Sequence, residues 1–294
     1  MSAQKVLVFG ATGAVGGAAA LEAHNRGAEV YLAMRDIKKA TPNLPDSLPR
    51  VQADLTDPSS IEKAVKETGT TTAFIYITFM DDMHPAAEAL KNGGIKHVVL
   101  LSSFTVYPTR ETAFADGIIS KVHAKAEIAL EDTGIEYTTI RPMFFASNLW
   151  GLKDMLKTGT MYLYRPDSLD DYIAPEDIGS VAGAKLASGG AAEVIPLCGP
   201  QLISKKEAWD IVGEELGKKL NYVDITQEQF LDQFKKAGHP EMVGQVLVKQ
   251  SDKPLNEKYP DALYKEASGN IKKYTGREPT RLREWVKKHK AEAE

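Results

Sequence analysis

The chain has 294 residues, 43% hydrophobic and 26% charged, with a formal net charge of -4 and a pI near 5.9. A collagen-like or disordered chain is excluded by those proportions, and a general nucleic-acid or membrane binder is disfavoured by the charge. Its one cysteine, Cys198, excludes an internal disulfide and a cysteine-cluster metal site.

Residues 5–9 form an apolar run that ends abruptly at Gly10, as a buried strand of a parallel sheet does. Gly10-Ala11-Thr12-Gly13-Ala14-Val15-Gly16-Gly17 follows and opens an alanine-rich helix ending near Gly27. Further strands are predicted over residues 29–34, 51–54, 72–78 and 97–102. Asp57-Pro58 supplies an N-cap with proline at the first helical position, and Gly69 closes that helix. Residues 73–80 are interrupted at Thr78 and fall short of the ~18 residues a membrane span needs. A long helix is predicted over 118–132, stopping at Gly134, with a sixth strand over 137–140. Strands alternating with helices in this way give βαβ units, so the fold class is α/β, a Rossmann-type doubly wound parallel sheet.

Past Arg141-Pro142 the rhythm changes. Residues 143–170 are irregular and rich in aromatics, a helix starts at Pro175, and residues 194–197 form a short strand that rejoins the sheet. Beyond Gly199-Pro200 the chain reads as mainly helical, with capping boxes at Ser204/Glu207 and Thr226/Gln229. The C-terminal lysines and arginines are interleaved with Glu278, Glu284, Glu292 and Glu294, which suits a solvated helix face better than a nucleic-acid patch. The division expected is a dinucleotide-binding domain over 1–150 and a smaller, mainly helical substrate-binding part over 151–294, with 172–200 returning to the sheet. No leader is expected at Lys5 and its neighbours, and a soluble cytoplasmic protein follows from this reading.

The glycine pattern sits between a strand and a helix. Gly10, Gly13 and Gly16 allow a tight turn and close approach of backbone to a pyrophosphate, whose charge the free N–H groups of the helix start would hold; Thr12 and Val15 belong to the same turn. About 20 residues beyond the glycines, where an acid would serve the ribose of the unphosphorylated cofactor, stands Arg35. Its guanidinium suits a 2′-phosphate, with Lys38 and Lys39 behind it, so NADPH is the cofactor expected; Asp36 beside it leaves a bare ribose as the alternative. Asp54 and Leu55 are expected at the adenine edge. Ile77, Thr78 and Phe79 are expected on the nicotinamide side, near Pro142.

Taken together, Gly10-Ala-Thr-Gly-Ala-Val-Gly16, Met34-Arg35-Asp36, Ala53-Asp54-Leu55-Thr56-Asp57, Leu101-Ser102-Ser103, His123-x-x-x-Glu127, Gly134-Ile-Glu-Tyr-Thr-Thr-Ile-Arg141-Pro142-x-x-Phe145, Pro175-Glu-Asp-Ile178 and Gly276-Arg-Glu-Pro279 run nearly the length of the chain. In that order they resemble the NmrA-like group of atypical short-chain dehydrogenases/reductases. The resemblance implies an NAD(P)-binding domain capped by a smaller C-terminal domain. It implies either reduction of quinones, ketones or activated double bonds, or dinucleotide sensing without turnover. It also places Ile119 and His123 where the broader superfamily carries the tyrosine and lysine of Tyr-x-x-x-Lys. His123 and Ser103 are the candidate catalytic residues on this likeness, with Tyr107 as a phenol from another direction.

Phe144, Phe145, Trp150, Tyr162 and Tyr164 are expected to wall the substrate, which suits an aromatic or polycyclic molecule. The scattered histidines offer no metal site. The reading is an NADPH-dependent reductase of a quinone, aromatic ketone or conjugated carbonyl, with no nucleic-acid or membrane partner. A non-catalytic NAD(P) sensor that binds a protein partner is the alternative; a nucleotide-sugar epimerase fits least, because Ile119 and His123 replace the groups it needs.

Overall fold

Seven short strands assemble into one sheet in the computed structural model, which describes residues 3–78, 82–189 and 192–293. The first half runs β1 (Lys5–Phe9), α1 (Ala14–Asn25), β2 (Glu29–Met34), β3 (Arg50–Gln52), α2 (Pro58–Thr68), β4 (Thr72–Tyr76), α3 (His84–Gly93), β5 (His97–Leu101), α4 (Arg110–Asp116), α5 (Ile118–Thr133) and β6 (Glu136–Pro142). A 3-10 segment, Ala146–Lys157, then leads to β7 (Thr160–Leu163), β8 (Leu169–Asp170), α6 (Pro175–Ser188) and β9 (Glu193–Leu197). The rest is β10 (Ile203–Ser204), α7 (Lys205–Leu216), β11 (Asn221–Asp224), α8 (Gln227–Lys236), α9 (Glu241–Asp252), α10 (Leu255–Lys258), α11 (Asp261–Thr275) and α12 (Leu282–His289).

Every pairing in the large sheet is parallel, and the strand order is β3-β2-β1-β4-β5-β6-β9. Order reverses between β1 and β4, and the carboxyl ends of these strands border the crevice where ligands of such sheets bind. Alternation along β1 explains the layers. Val6 and Val8 face the core shared with α1 and α6, whereas Leu7 and Phe9 face α2, α3 and α5. Leu7, Leu32, Leu100 and Ile140 are among the largest fully buried side chains, each worth about 1.5–3 kcal/mol relative to exposure.

The predicted punctuation holds α2: Asp57 accepts from the Ser59 and Ser60 amides, Pro58 follows, and Gly69 closes the helix with φ of 63°. Both capping boxes form, Ser204 with Glu207 and Thr226 with Gln229. The strand at 193–197 joins the sheet beside β6, pairing Ile140 with Ile195 and Pro142 with Leu197.

Helix α6 crosses α1 closely enough that only glycine fits at the contact. A Cβ on Gly179 would stand 2.3 Å from the Val15 carbonyl oxygen, and one on Gly183 2.5 Å from that of Ala19. This crossing presses the helix that follows the glycine turn against the chain's second half. The C-terminal part has its own core, built on Trp209, Trp285, Met161 and Leu163. It carries two small sheets, β7 with β11 in parallel and β8 with β10 antiparallel.

Several bounds differ from the structure. The fourth strand ends at Tyr76, so residues 77 and 78 leave the sheet; the fifth ends at Leu101; the third covers only residues 50–52; and β10 and β11 are short strands in a stretch expected to be mainly helical.

Candidate active site

The glycine turn is shaped by crowding. Gly10 has φ of +72° and a Cβ there would lie 2.8 Å from the ring of Tyr76, while a Cβ on Gly16 would lie 2.3 Å from the Gly10 carbonyl oxygen. The Gly13 amide closes the turn on that same carbonyl at 2.9 Å. Gly13 caps α1 with no side-chain partner, and no acid stands in the first turn. Thr12, Gly13 and Ala14 are exposed while Val15 is buried. No side chain caps the first amides of α1, and an uncapped helix start of this kind suits a diphosphate. Tyr76, absent from the expected site, borders the turn because β4 neighbours β1; its place at the end of that strand was the available signal.

Around the end of β2 four charged residues divide their work, Arg35, Asp36 and Lys39 after the strand and Arg50 on β3. Asp36 turns back on its own loop, accepting from the Lys38 amide at 2.9 Å. Arg50 on β3 braces the loop by donating to the Ile37 and Lys39 carbonyls and to Thr41. Arg35 and Lys39 are exposed. Among the described residues neither side chain has an ion pair, so both cations face solvent at the crevice edge. The Asp54 carboxylate is committed to Thr56, accepting from its amide and hydroxyl at 3.0 Å each, and Leu55 is buried in the core. Ile77 and Thr78 are half-buried beyond β4, Thr78 donating to Met83 Sδ; Phe79 lies outside the described residues.

Three groups gather at the carboxyl ends of β5 and β6. Ser102 is buried and donates to Glu127 Oε1 at 2.6 Å. Arg141 grips the same carboxylate with two hydrogen bonds, Nε to Oε1 at 3.0 Å and Nη2 to Oε2 at 2.6 Å. This buried cluster fastens α5 to the sheet one turn below His123. Ser103 accepts from the Thr105 amide and hydroxyl at 3.2 and 3.0 Å, which leaves its own proton for an outside acceptor. Tyr107 stacks on Phe104 and is 43% exposed.

The His123 ring is not a free imidazole. Burial, and secondarily the Arg141 charge, bring its pKa down to about 4, so the ring is neutral at pH 7. Its Nδ1 is buried and has no partner. A neutral ring can orient a ribose or an oxygen through one N–H, but it holds no imidazolium to spend.

The five aromatics do not share one wall. Phe144 packs edge-on against Tyr172, Phe145 joins the main core, and Trp150 packs on Trp285 in the C-terminal core. Tyr162 is 39% exposed on β7, and Tyr164 stacks on Phe230 of α8. Of the five, only Phe144 and Trp150 pack against the small domain's core. Pro142 is buried at the end of β6, and the loop after it is fixed by a residue that the sequence did not single out. Asp171 accepts from the Phe144 and Gly199 amides and the Tyr259 hydroxyl, at 2.9, 2.7 and 2.9 Å. Burial nonetheless pushes its carboxyl up to about 6. Among the described residues no group of three or more His, Cys, Asp or Glu could hold a metal ion, and no helix is long and apolar enough to cross a membrane.

The model of the NmrA-like family matches residues 2–288. The chain belongs to the NmrA-like family. Within curated relatives it is similar to the nitrogen metabolite regulation-like protein bik4 of Gibberella fujikuroi, 38% identical over 97% of this chain and 96% of that one. It is also similar to an NAD(P)H azoreductase of Xenophilus azovorans, 24% identical over 97% and 98% of the two chains. Among solved structures, the NADPH-dependent quinone oxidoreductase QOR2 of Escherichia coli, complexed with NADPH, superposes with a TM-score of 0.75 at 19% identity, covering 96% of this chain and 98% of that one. Proteins similar to this chain thus include an NAD(P)H azoreductase and a regulation-like protein, and the fold is shared with a quinone oxidoreductase.

Proposed function

We propose that this NmrA-like protein is an NADPH-dependent reductase of a quinone, an aromatic ketone or another conjugated carbonyl. One observation carries the reading: an uncapped helix start after the Gly10–Gly16 turn lies on the same sheet edge as an unpaired Arg35, with Asp36 Oδ1 bonded to the Lys38 amide of its own loop. A diphosphate fits the first and a 2′-phosphate the second. NADPH would supply the hydride. The chain's own residues would orient the reactants: Ser103 donates its free hydroxyl proton to a substrate oxygen, and neutral His123 donates one N–H to hold the ribose or that oxygen. A conjugated substrate spreads the negative charge that develops, so it needs less help from an acid. The last proton then comes from water or from exposed Tyr107.

The test is a titration with NADPH, NADP+, NADH and NAD+. Selective binding of NADPH, followed by its oxidation with quinones or aromatic ketones, is the expected result. Equal affinity for phosphorylated and unphosphorylated forms would overturn the cofactor assignment.

The His123 ring gives a second check. Since its pKa lies near 4, the rate is expected to show no ionisation between about pH 5.5 and 7.5 belonging to this group. His123→Ala is expected to lower kcat about tenfold, the value of one lost hydrogen bond, with the fold intact. An inflection near pH 6.5 that vanishes in His123→Ala would show a titrating acid and overturn the neutral-ring assignment.

A second reading is favoured by one observation, the 38% identity to a nitrogen metabolite regulation-like protein. On that reading the chain senses the dinucleotide and binds a protein partner, and a neutral His123 one turn from Ile119 is no handicap. Preference for oxidised cofactor with no turnover, together with a stable complex on gel filtration, would select it.

A further inference from the structure

Helices α8 and α9 form a hairpin that holds itself together but buries little. No residue of α8 is buried, and in α9 only Gly244 and Val248 are. Gly244 lets the two helices touch: a Cβ there would lie 3.0 Å from both Leu231 and Phe234. Phe234 also packs on His239 in the connecting turn, with ring centroids 4.5 Å apart. Toward the body, Val246 reaches the residue that starts α5, its Cγ2 lying 3.3 Å from a Cβ position on Gly117. That is the helix that carries Ile119 and His123.

Both roots of the hairpin meet at one place. Tyr164 donates its hydroxyl to both Asp252 oxygens, at 2.8 and 2.9 Å, and Arg165 Nε donates to Oδ1 at 2.8 Å. Lys205 reaches Ser251 Oγ at 2.8 Å while holding the Tyr164 carbonyl at 2.9 Å. Arg165 adopts this grip with φ of +53°, a left-handed conformation that a non-glycine residue leaves readily when its partners go. Beside the roots lies a cavity of about 530 Å³, bordered by Asp224 and Ile225 ahead of α8 and by Asp252 and Lys253 behind α9.

We infer that the α8–α9 hairpin is a hinged lid on the substrate cleft, closed by Val246 over the start of α5 and latched by Asp252 on Tyr164 and Arg165. It rests on the reading of α5 and the strand ends as the substrate site. A segment that buries few side chains and is held by polar contacts at its base belongs to the low-stability end of a fold, from which lids are drawn. Closing it would exclude water from the reacting atoms; opening it would admit a flat, bulky substrate.

Amide hydrogen exchange on the full chain tests the lid without cofactor or turnover, so failure of the reductase assignment leaves the result interpretable. In Asp252→Ala, amides of residues 227–252 are expected to exchange about tenfold faster, and those of the first turn of α5 to follow, because Val246 no longer covers it. Amides of β1 and α1 should keep their rates. Val246→Ala, which spares the latch, should speed the first turn of α5 alone. Unchanged exchange over 227–252, faster exchange there without any change in α5, or uniform acceleration of the whole chain would each overturn the lid. If Asp252→Ala does not fold, Asp252→Asn, which keeps the acceptor for Tyr164 but drops the charge, should give the same pattern at lower amplitude.

Discussion

Replacing Arg35 with alanine is expected to weaken NADPH binding by about 10- to 100-fold, the value of one or two charge-assisted hydrogen bonds, while NADH binding stays unchanged. The argument is one of placement. Residue 34 ends β2 in register beside Gln52 of β3, so residue 35 emerges at the carboxyl edge of the sheet, next to the strand that leads into the glycine turn. Nothing among the described residues neutralises Arg35, and the nearest acid, Asp36, spends its Oδ1 on the Lys38 amide. The exposed guanidinium makes the effect salt-dependent: raising ionic strength should lower NADPH affinity in the parent and change the variant less. Lys39→Ala should behave as a weaker version of the same change, because an ammonium is a point charge without the fork. Equal NADPH affinity in parent and Arg35→Ala, measured by cofactor fluorescence at low salt, would remove the 2′-phosphate from this edge and with it the preference for NADPH.

What was legible in the sequence follows from which signals are local. A buried parallel strand is a short apolar run wherever it occurs, and a glycine turn followed by alanines carries its own conformation, so β1, α1, β2 and the capped α2 could be read directly. The signals that failed are those decided at long range. β11 is short and largely exposed, and its pairing with β7 depends on residues about 60 positions away, so the helices around it set the reading. Nothing local in the sequence marks Asp170 and Asp171 as buried, yet Asp170 pairs with Lys258 and Asp171 accepts from Tyr259. The aromatics of residues 144–164 show the same limit. Their number predicts an apolar environment, but only the packing assigns Trp150 to Trp285 and Tyr164 to Phe230. In the same way, His123 could be placed by its spacing from Glu127, while its neutrality comes from burial and from Arg141, which sits on another element.

Glu127→Ala is expected to cost about 3–5 kcal/mol of stability, the range for breaking a buried ion pair from one side. The carboxylate side chain is 2% exposed and the Arg141 guanidinium 12%, so removal of the acid strands a cation between α5 and β6 and leaves the Ser102 hydroxyl without its acceptor. Glu127→Gln should cost less, since the amide oxygen can still accept from Ser102 or Arg141. An exposed pair provides the contrast. Glu131 is bonded to Arg110 with its side chain 54% exposed, and Glu131→Ala should cost less than about 1 kcal/mol. Denaturant midpoints at constant slope would give all three values, and a Glu127→Ala loss within about 1 kcal/mol of the Glu131→Ala loss would show that the cluster does not fasten α5. The same substitution separates stability from chemistry. Arg141 already lowers the His123 pKa, and an unneutralised Arg141 would lower it further, so the ring stays neutral in the variant. Any loss of turnover that remains under conditions where Glu127→Ala is fully folded therefore reports the position of His123 on α5, not its charge.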